Sequence, residues 1–164
     1  MPTLDLERPE VSAAMTDSAA WWAYNSGIDG FRHDATKHIP ENFWRELTAK
    51  LKTAQAETGT RMFQIGETYG SPALIGSYLS SGMLDAQFDF NLYDKAVGAI
   101  AFEEGSWDDL VRTNEQSLAT YGAHHLMGNI TGNQDRPRFT SLADGTLDVN
   151  EDMKFQGWTR DIQH

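Results

Sequence analysis

The sequence contains no cysteine, and this absence excludes disulfide frameworks, thiolate zinc sites and cysteine nucleophiles. No apolar run approaches the roughly 18 residues that a transmembrane helix needs. Basic residues are scarce, because 13 Lys and Arg stand against 24 Asp and Glu, for a formal net charge of −11. This balance argues against nucleic acid or an anionic membrane as the main partner, because both select basic surfaces.

The chain has 164 residues, of which 40% are hydrophobic and 11% aromatic. This length can build one domain with a core, and the composition excludes a disordered chain. The first ten residues have no basic region followed by an apolar core, so they do not form a signal peptide.

Hydrophobic periodicity alternates along the chain between short apolar runs and amphipathic stretches. The runs predict strands over residues 28–34, 61–65, 84–90 and 124–130. The stretches predict helices over residues 11–25, 42–57, 71–80 and 93–102, and a last helix from Ser106 to Gly122. Such alternation indicates an α/β fold with parallel strands, in which reactive residues gather at the carboxyl ends of the strands.

The first predicted strand ends with Arg32 and Asp34. Residues two apart on a strand point to the same face, so these two side chains are neighbours. An adjacent arginine favours the ionised form of a carboxylate, which suits a closed reactive site. A structural ion pair is the alternative, and for this pair alone it is the commoner outcome.

Acidic residues also follow the second and the fourth predicted strands. Glu67 comes directly after an apolar run, and partial burial would favour its protonated form, as a proton donor requires. The alternative is a solvated loop glutamate. Asn133, Gln134 and Asp135 lie in a polar loop that suits either sugar hydroxyls or simple turn chemistry.

Together, these three acids lie in one cleft at the carboxyl ends of the strands if the strands that precede them are parallel neighbours. One acid is paired with arginine, one follows an apolar run, and one lies among amides. Paired carboxylates that differ in protonation are the machinery of glycoside hydrolysis.

The sequence resembles the α-amylase family of glycoside hydrolases. The segment 30–38, GFRHDATKH, looks like the family's G-x-R-x-D-x-x-K-H segment after the fourth barrel strand. Gly66-Glu67-Thr68 looks like its general-acid segment after the fifth strand, and residues 133–135, NQD, look like its N-H-D segment after the seventh. The order and rough separation of the three segments also match.

The resemblance implies a partial (β/α)8 TIM barrel, covering roughly strands four to seven, and a retaining mechanism. Asp34 would be the nucleophile and Glu67 the acid and base. Asp135 would steady the transition state, and Arg32 would keep Asp34 charged. Lys37, His38, Asn133 and Gln134 match substrate-binding positions. In the family, the carbonyl of the residue that matches His38 can also ligate a structural calcium ion.

Two positions depart from the family pattern. Gln134 stands where the family usually has histidine, so it can donate a hydrogen bond but cannot carry a proton charge. His33 occupies a variable position beside the expected nucleophile, where it either tunes the site or merely packs.

The resemblance also implies that residues 1–164 are one partial catalytic domain. A complete eightfold barrel needs about 250 residues, and Met1 matches an internal family position. We therefore expect a fragment that lacks the first three strands, the inserted second domain, the eighth strand and the C-terminal β-domain. Half a barrel exposes apolar surface, so pairing with a missing half or self-association is expected. An extracellular or periplasmic parent enzyme is favoured by the resemblance alone.

The leading hypothesis is hydrolysis of α-1,4-glucans such as starch or maltodextrin. Neopullulanase, cyclomaltodextrinase, α-glucosidase and transglycosylase specificities are alternatives within the family. A non-catalytic carbohydrate-binding or assembly fragment, and an unrelated α/β domain with coincident motifs, are alternatives of other classes.

Two other features have ordinary explanations. Trp21 and Trp22 lie on a periodic helix, where one is expected in the core and the other at the surface. His124 and His125 are adjacent on a strand and face opposite ways, so a shared ion is not expected.

Overall fold

The structure, a computed structural model, describes residues 4–102, 105–122 and 125–145. These residues fall into two compact units. The first unit runs to Phe88 and includes the strand Leu126–Gly128, and the second takes in residues from Asp89 to Gly122 and from Asn129 onward. No helix within these described ranges is both long and apolar enough to cross a membrane.

The first unit contains a parallel sheet and three α-helices. Its strands are β1 (Gly30–His33), β2 (Phe63–Gly66), β3 (Ala86–Phe88) and β4 (Leu126–Gly128), and its helices are α1 (Pro9–Asn25), α2 (Glu41–Thr58) and α3 (Pro72–Ser77). A short 3₁₀ turn, Thr36–His38, follows β1. The strands pair in the order β1-β2-β3-β4, all parallel. The predicted alternation and parallel pairing are therefore confirmed.

The core of the first unit lies between α2 and the sheet. Phe43, Leu47, Leu51 and Ala54 recur at helical spacing along α2 and are all buried, so they form its inward apolar stripe. The helix ends where Gly59 adopts a left-handed φ of 74°, a conformation that costs glycine little. The core cluster comprises Ala23, Phe43, Trp44, Leu47, Leu51, Tyr78, Met83 and Leu84.

Helix α1 faces the core with a different side from the one that its apolar residues predict. The buried residues are Ser12, Thr16, Ala20 and Ala23, whereas Met15, Trp21 and Trp22 are exposed. The expectation that one of the two tryptophans is in the core is therefore wrong.

Polar contacts with α2 explain this choice of face. The Ser12 hydroxyl donates to Glu46 at 2.7 Å. The Lys50 ammonium donates to the Thr16 hydroxyl at 2.7 Å and to Asp17 at 2.6 Å. Small side chains on α1 leave room for these long side chains, which bulky residues at the same places would exclude.

The other face of the sheet is partly open. Register places Arg32, Ile65, Ala86 and Leu126 side by side on the face opposite α2. Leu126 is 70% exposed, and Ile65 is only half-buried. Ala86, which lies between them, is fully buried, so the expected exposure of the whole apolar face stays a prediction.

The described residues of the second unit form three helices: α4 (Phe90–Ile100), α5 (Trp107–Tyr121) and α6 (Phe139–Ala143). Helix α4 begins three residues before its predicted start, because the buried Asp89 carboxylate caps it, accepting from the Leu92 N–H at 3.0 Å. The Ser117 hydroxyl of α5 donates to the same carboxylate at 2.5 Å.

Sequence patterns were less informative in this second unit. Tyr121 is buried on α5, but Val111 and Leu118 of the same helix are exposed. Helix α6 is too short to show periodicity and was not predicted. His124, one of the two adjacent histidines, lies outside the described residues.

Candidate active site

Two of the predicted acids lie at the carboxyl ends of neighbouring strands. Register pairs His33 of β1 with Gly66 of β2, so Asp34 and Glu67 both follow at the same edge of the sheet. The Glu67 N–H donates to the His33 carbonyl at 2.9 Å, and the Thr36 N–H donates to the Glu67 carbonyl at 2.9 Å. These backbone bonds continue the pairing past the strands and fix both acids in one framework.

Arg32 bridges the two carboxylates. Its guanidinium donates to Asp34 and forms an ion pair with Glu67 at 2.6 Å. Asp34 is 72% exposed, whereas the Glu67 side chain is only 14% exposed. Partial burial would lower the pKa of Arg32, but the hydrogen bond and charge of Asp34 and the charge of Glu67 raise it. The guanidinium therefore remains a fixed cation between two anions.

The turn after Asp34 brings a further donor to Glu67. Ala35 has a left-handed φ of 48° and is the one non-glycine residue with positive φ among those described. Its N–H lies 3.4 Å from Glu67 Oε2. A strained backbone at such a position persists only where surrounding contacts hold it, and here the Thr36–Glu67 backbone bond does so.

Lys37 and His38 lie in the 3₁₀ turn beside these acids. The Lys37 ammonium donates to the Tyr69 carbonyl at 2.8 Å, which draws the loop after β2 towards the turn. Both side chains are exposed, as substrate-contacting groups must be. Their predicted binding roles stay predictions.

Asn133, Gln134 and Asp135 lie in the second unit. The Asp135 N–H donates to Asn133 Oδ1 at 2.8 Å, and the Gln134 amide donates to Asp135 Oδ2 at 3.0 Å. These bonds define a local turn that presents Asp135 to solvent. Next to it, the Arg136 guanidinium lies 5.7 Å from the centre of the Tyr93 ring. The expected convergence of Asp135 with Asp34 and Glu67 stays a prediction.

No complete metal site is formed by this part of the chain. Among residues 4–102, 105–122 and 125–145, no three His, Cys, Asp or Glu side chains cluster as metal ligands. The predicted role of the His38 carbonyl as a calcium ligand stays a prediction.

Comparison with known proteins gives a consistent result. The sequence model described as the catalytic domain of alpha amylase matches residues 1–156. This chain belongs to the α-amylase family.

Similar proteins agree with this assignment. An alpha-amylase from Streptomyces lividans is 33% identical over 138 residues, which are 76% of this chain and 15% of that protein. A cyclomaltodextrinase from Thermoanaerobacter pseudethanolicus is 29% identical over 153 residues, covering 90% of this chain and 25% of that protein. An Anoxybacillus alpha-amylase structure matches with a TM-score of 0.76 and 31% identity, over 97% of this chain and 34% of that one.

The chain thus spans about a quarter or less of the length of these two curated relatives. Both the family resemblance and the predicted fold class, an α/β fold that forms part of a (β/α)8 barrel, are confirmed.

Sequence reasoning missed two features of this α-amylase-family site. It paired Arg32 with Asp34 alone, whereas Glu67 binds the same guanidinium. It also left out Thr48 and Gln64, which are buried and linked to His33. A threonine between Leu47 and Leu51 on an apolar helix face, and a glutamine inside an apolar strand, were the available signals.

His33 is enclosed on the helix side of the sheet. Its ring stacks on Phe31 at 5.7 Å between centroids and lies 4.7 Å from the Trp44 ring. Burial lowers the pKa of His33 to about 4, although the hydrogen bond with Gln64 opposes this shift. The ring is therefore neutral at ordinary pH.

The stability of the chain should depend on this histidine. The unfolded chain takes up the His33 proton near its ordinary pKa of 6.5, whereas the folded chain does so only near 4. Stability is thus fully present above pH 6.5 and falls as the pH drops towards 4, by about 3 kcal/mol at most. Urea unfolding at pH 7 and pH 5 should show this loss, and His33→Leu should lose less stability over the same interval. Equal losses in both proteins would contradict the buried neutral ring.

Proposed function

We propose that this chain carries the catalytic acids of a retaining glycoside hydrolase that acts on α-1,4-glucans such as starch and maltodextrin. The observation that carries the proposal is the Arg32 bridge between Asp34 and Glu67 at the ends of adjacent parallel strands. Membership of the α-amylase family supports the substrate class.

In the first step, the Asp34 carboxylate attacks the anomeric carbon, and the glycosidic carbon–oxygen bond breaks. Glu67 gives its proton to the departing oxygen. A glycosyl ester on Asp34 remains, which explains why the nucleophile must be accessible, as its 72% exposed side chain is.

In the second step, the Glu67 carboxylate takes a proton from water, whose oxygen attacks the anomeric carbon and releases Asp34. The ion pair with Arg32 at 2.6 Å orients the Glu67 carboxyl for this base step. The preceding acid step requires a proton on Glu67 while the sugar is bound.

The remaining site residues have proposed roles around the sugar. Asp135 would hold sugar hydroxyls and steady the positive charge that develops on the sugar ring. Lys37 and His38 would contact sugars on the leaving-group side, and Asn133 and Gln134 would supply amide hydrogen bonds. Calcium bound through the His38 carbonyl would be structural, with its other ligands outside the residues described.

The test is release of reducing sugar from soluble starch, with calcium present. Asp34→Asn removes the nucleophile, so activity should fall at least ~10³-fold. Asp29→Asn is the matched control, because Asp29 is an exposed aspartate in the same unit and outside the ion-pair site. Activity that survives in Asp34→Asn would contradict the proposed role. Glucan binding without any hydrolysis would favour the non-catalytic alternative.

A cyclomaltodextrinase-like specificity is the second candidate, favoured by the similarity to a protein of that name. Comparing products and rates on starch, pullulan and cyclodextrin distinguishes the two. Preference for cyclodextrin would support this second candidate, and preference for starch the first.

We also propose that the chain pairs through the open face of its sheet, with a segment that completes the barrel or with a second copy. This face carries Leu126, which is 70% exposed, and the half-buried Ile65, with the buried Ala86 between them. Large exposed apolar patches are uncommon on monomers.

Sedimentation velocity should therefore show association of the chain that increases with concentration. Leu126→Lys should weaken the association, because a charge would be buried in the interface. Leu118→Lys, at an exposed position on α5, is the control. A monomer at all concentrations would contradict self-association.

A further inference from the structure

A line of polar side chains runs through the core from α2 to the end of β1. The Thr48 hydroxyl donates to the Met83 carbonyl at 2.6 Å, and the Gln64 amide donates to the Thr48 oxygen at 2.8 Å. The other end of the Gln64 amide, Oε1, lies 3.1 Å from His33 Nε2. Thr48 and Gln64 are 4% and 2% exposed. We call His33, Gln64 and Thr48 the relay.

The Met83 carbonyl determines which group donates and which accepts in each hydrogen bond of the relay. A backbone carbonyl only accepts, so the single hydroxyl hydrogen of Thr48 is used on Met83. The Thr48 oxygen must then accept from the Gln64 NH₂ group, which turns Gln64 Oε1 towards His33. The proton of the neutral imidazole is therefore on Nε2, which holds one tautomer and one ring orientation.

His33 also belongs to the framework that holds both acids. Its carbonyl accepts from the Glu67 N–H at 2.9 Å and from the Thr36 hydroxyl at 3.2 Å, and Asp34 is the next residue. Helix α2 adds a second contact, because the Trp44 ring packs on the imidazole and its N–H donates to the Thr36 carbonyl at 3.3 Å.

Apolar side chains of similar size at these positions could fill the core without any hydrogen bonds. Buried polar groups destabilise the fold unless each has a hydrogen-bond partner. When all of them are paired, they favour one specific arrangement of the core rather than adding stability. The relay connects helix α2 to the end of β1 by hydrogen bonds. It therefore limits how far the end of β1 can shift relative to the helix.

We propose that the relay positions Asp34 and Glu67 for catalysis, with His33, Gln64 and Thr48 as positioning residues that do not touch the sugar. The catalytic meaning of this inference rests on the proposed function. The positioning itself can be measured without any activity.

The test compares two near-isosteric substitutions in the full chain. Thr48→Val breaks the relay, because it leaves Met83 and Gln64 without their partner. Thr16→Val is the matched control, because Thr16 is also a fully buried threonine of the first unit, and its hydroxyl donates to the Ser12 carbonyl of α1 at 2.9 Å. Both variants lose a buried hydroxyl, but only one loses a contact with the strand end.

The readouts are the NMR signals of the Glu67 backbone amide and of the Glu67 and Asp34 side-chain carboxyls, at one pH. We expect these signals to shift in Thr48→Val, to stay in place in Thr16→Val, and to return in Thr48→Ser, which keeps the hydroxyl. Shifts in Thr48→Val no larger than those in Thr16→Val would overturn the proposal.

A measurement on the unmodified chain decides the case if Thr48→Val does not fold. Nitrogen-15 signals of the His33 ring should report a proton on Nε2, and a proton on Nδ1 would overturn the relay. Where hydrolysis is measurable, Thr48→Val should lower kcat by about 10- to 100-fold with little change in KM. Absence of hydrolysis in the unmodified chain would count against the proposed function alone, because the NMR signals still test the relay.

Discussion

The arrangement of the first unit at its strand ends depends on one cation between two anions. Asp34 and Glu67 come from adjacent strands, and two carboxylates held this close repel each other. The Arg32 guanidinium offers donors on both sides of a rigid plane and binds both. In a chain whose net charge is −11, this cation lets two acids share one edge of the sheet.

The helix side of the sheet supplies the rigidity that such a site needs. Trp44 and Thr48 lie one turn apart on α2 and reach the same strand end, one by ring packing and the other through Gln64. Asp34, the accessible nucleophile candidate, therefore follows a strand end that buried side chains hold in place. The Asp34 side chain is 72% exposed, whereas Gln64 of the relay is 2% exposed.

Much of the first unit was predictable because its local signals agree with one another. Strand–helix alternation predicts a parallel sheet, and the stripe of α2 predicts its buried face. Helix α1 was misread because hydrogen bonds to Glu46 and Lys50, not apolar area, choose its inward face.

The positions of the site residues could be predicted, but not their partners. Spacing places Arg32 and Asp34 on one side of a strand, whereas the contact between Arg32 and Glu67 depends on register between two strands. The relay depends on three elements at once, which is why no local pattern in the sequence indicates it. The short helix α6 leaves no periodic pattern at all.

Trapping the glycosyl-enzyme intermediate identifies the nucleophile. A fluorinated maltosyl fluoride forms the ester on a retaining nucleophile and slows its hydrolysis, so the labelled peptide can be identified by mass spectrometry. The account predicts that the label is on Asp34. A label on Glu67 or Asp135 would contradict it.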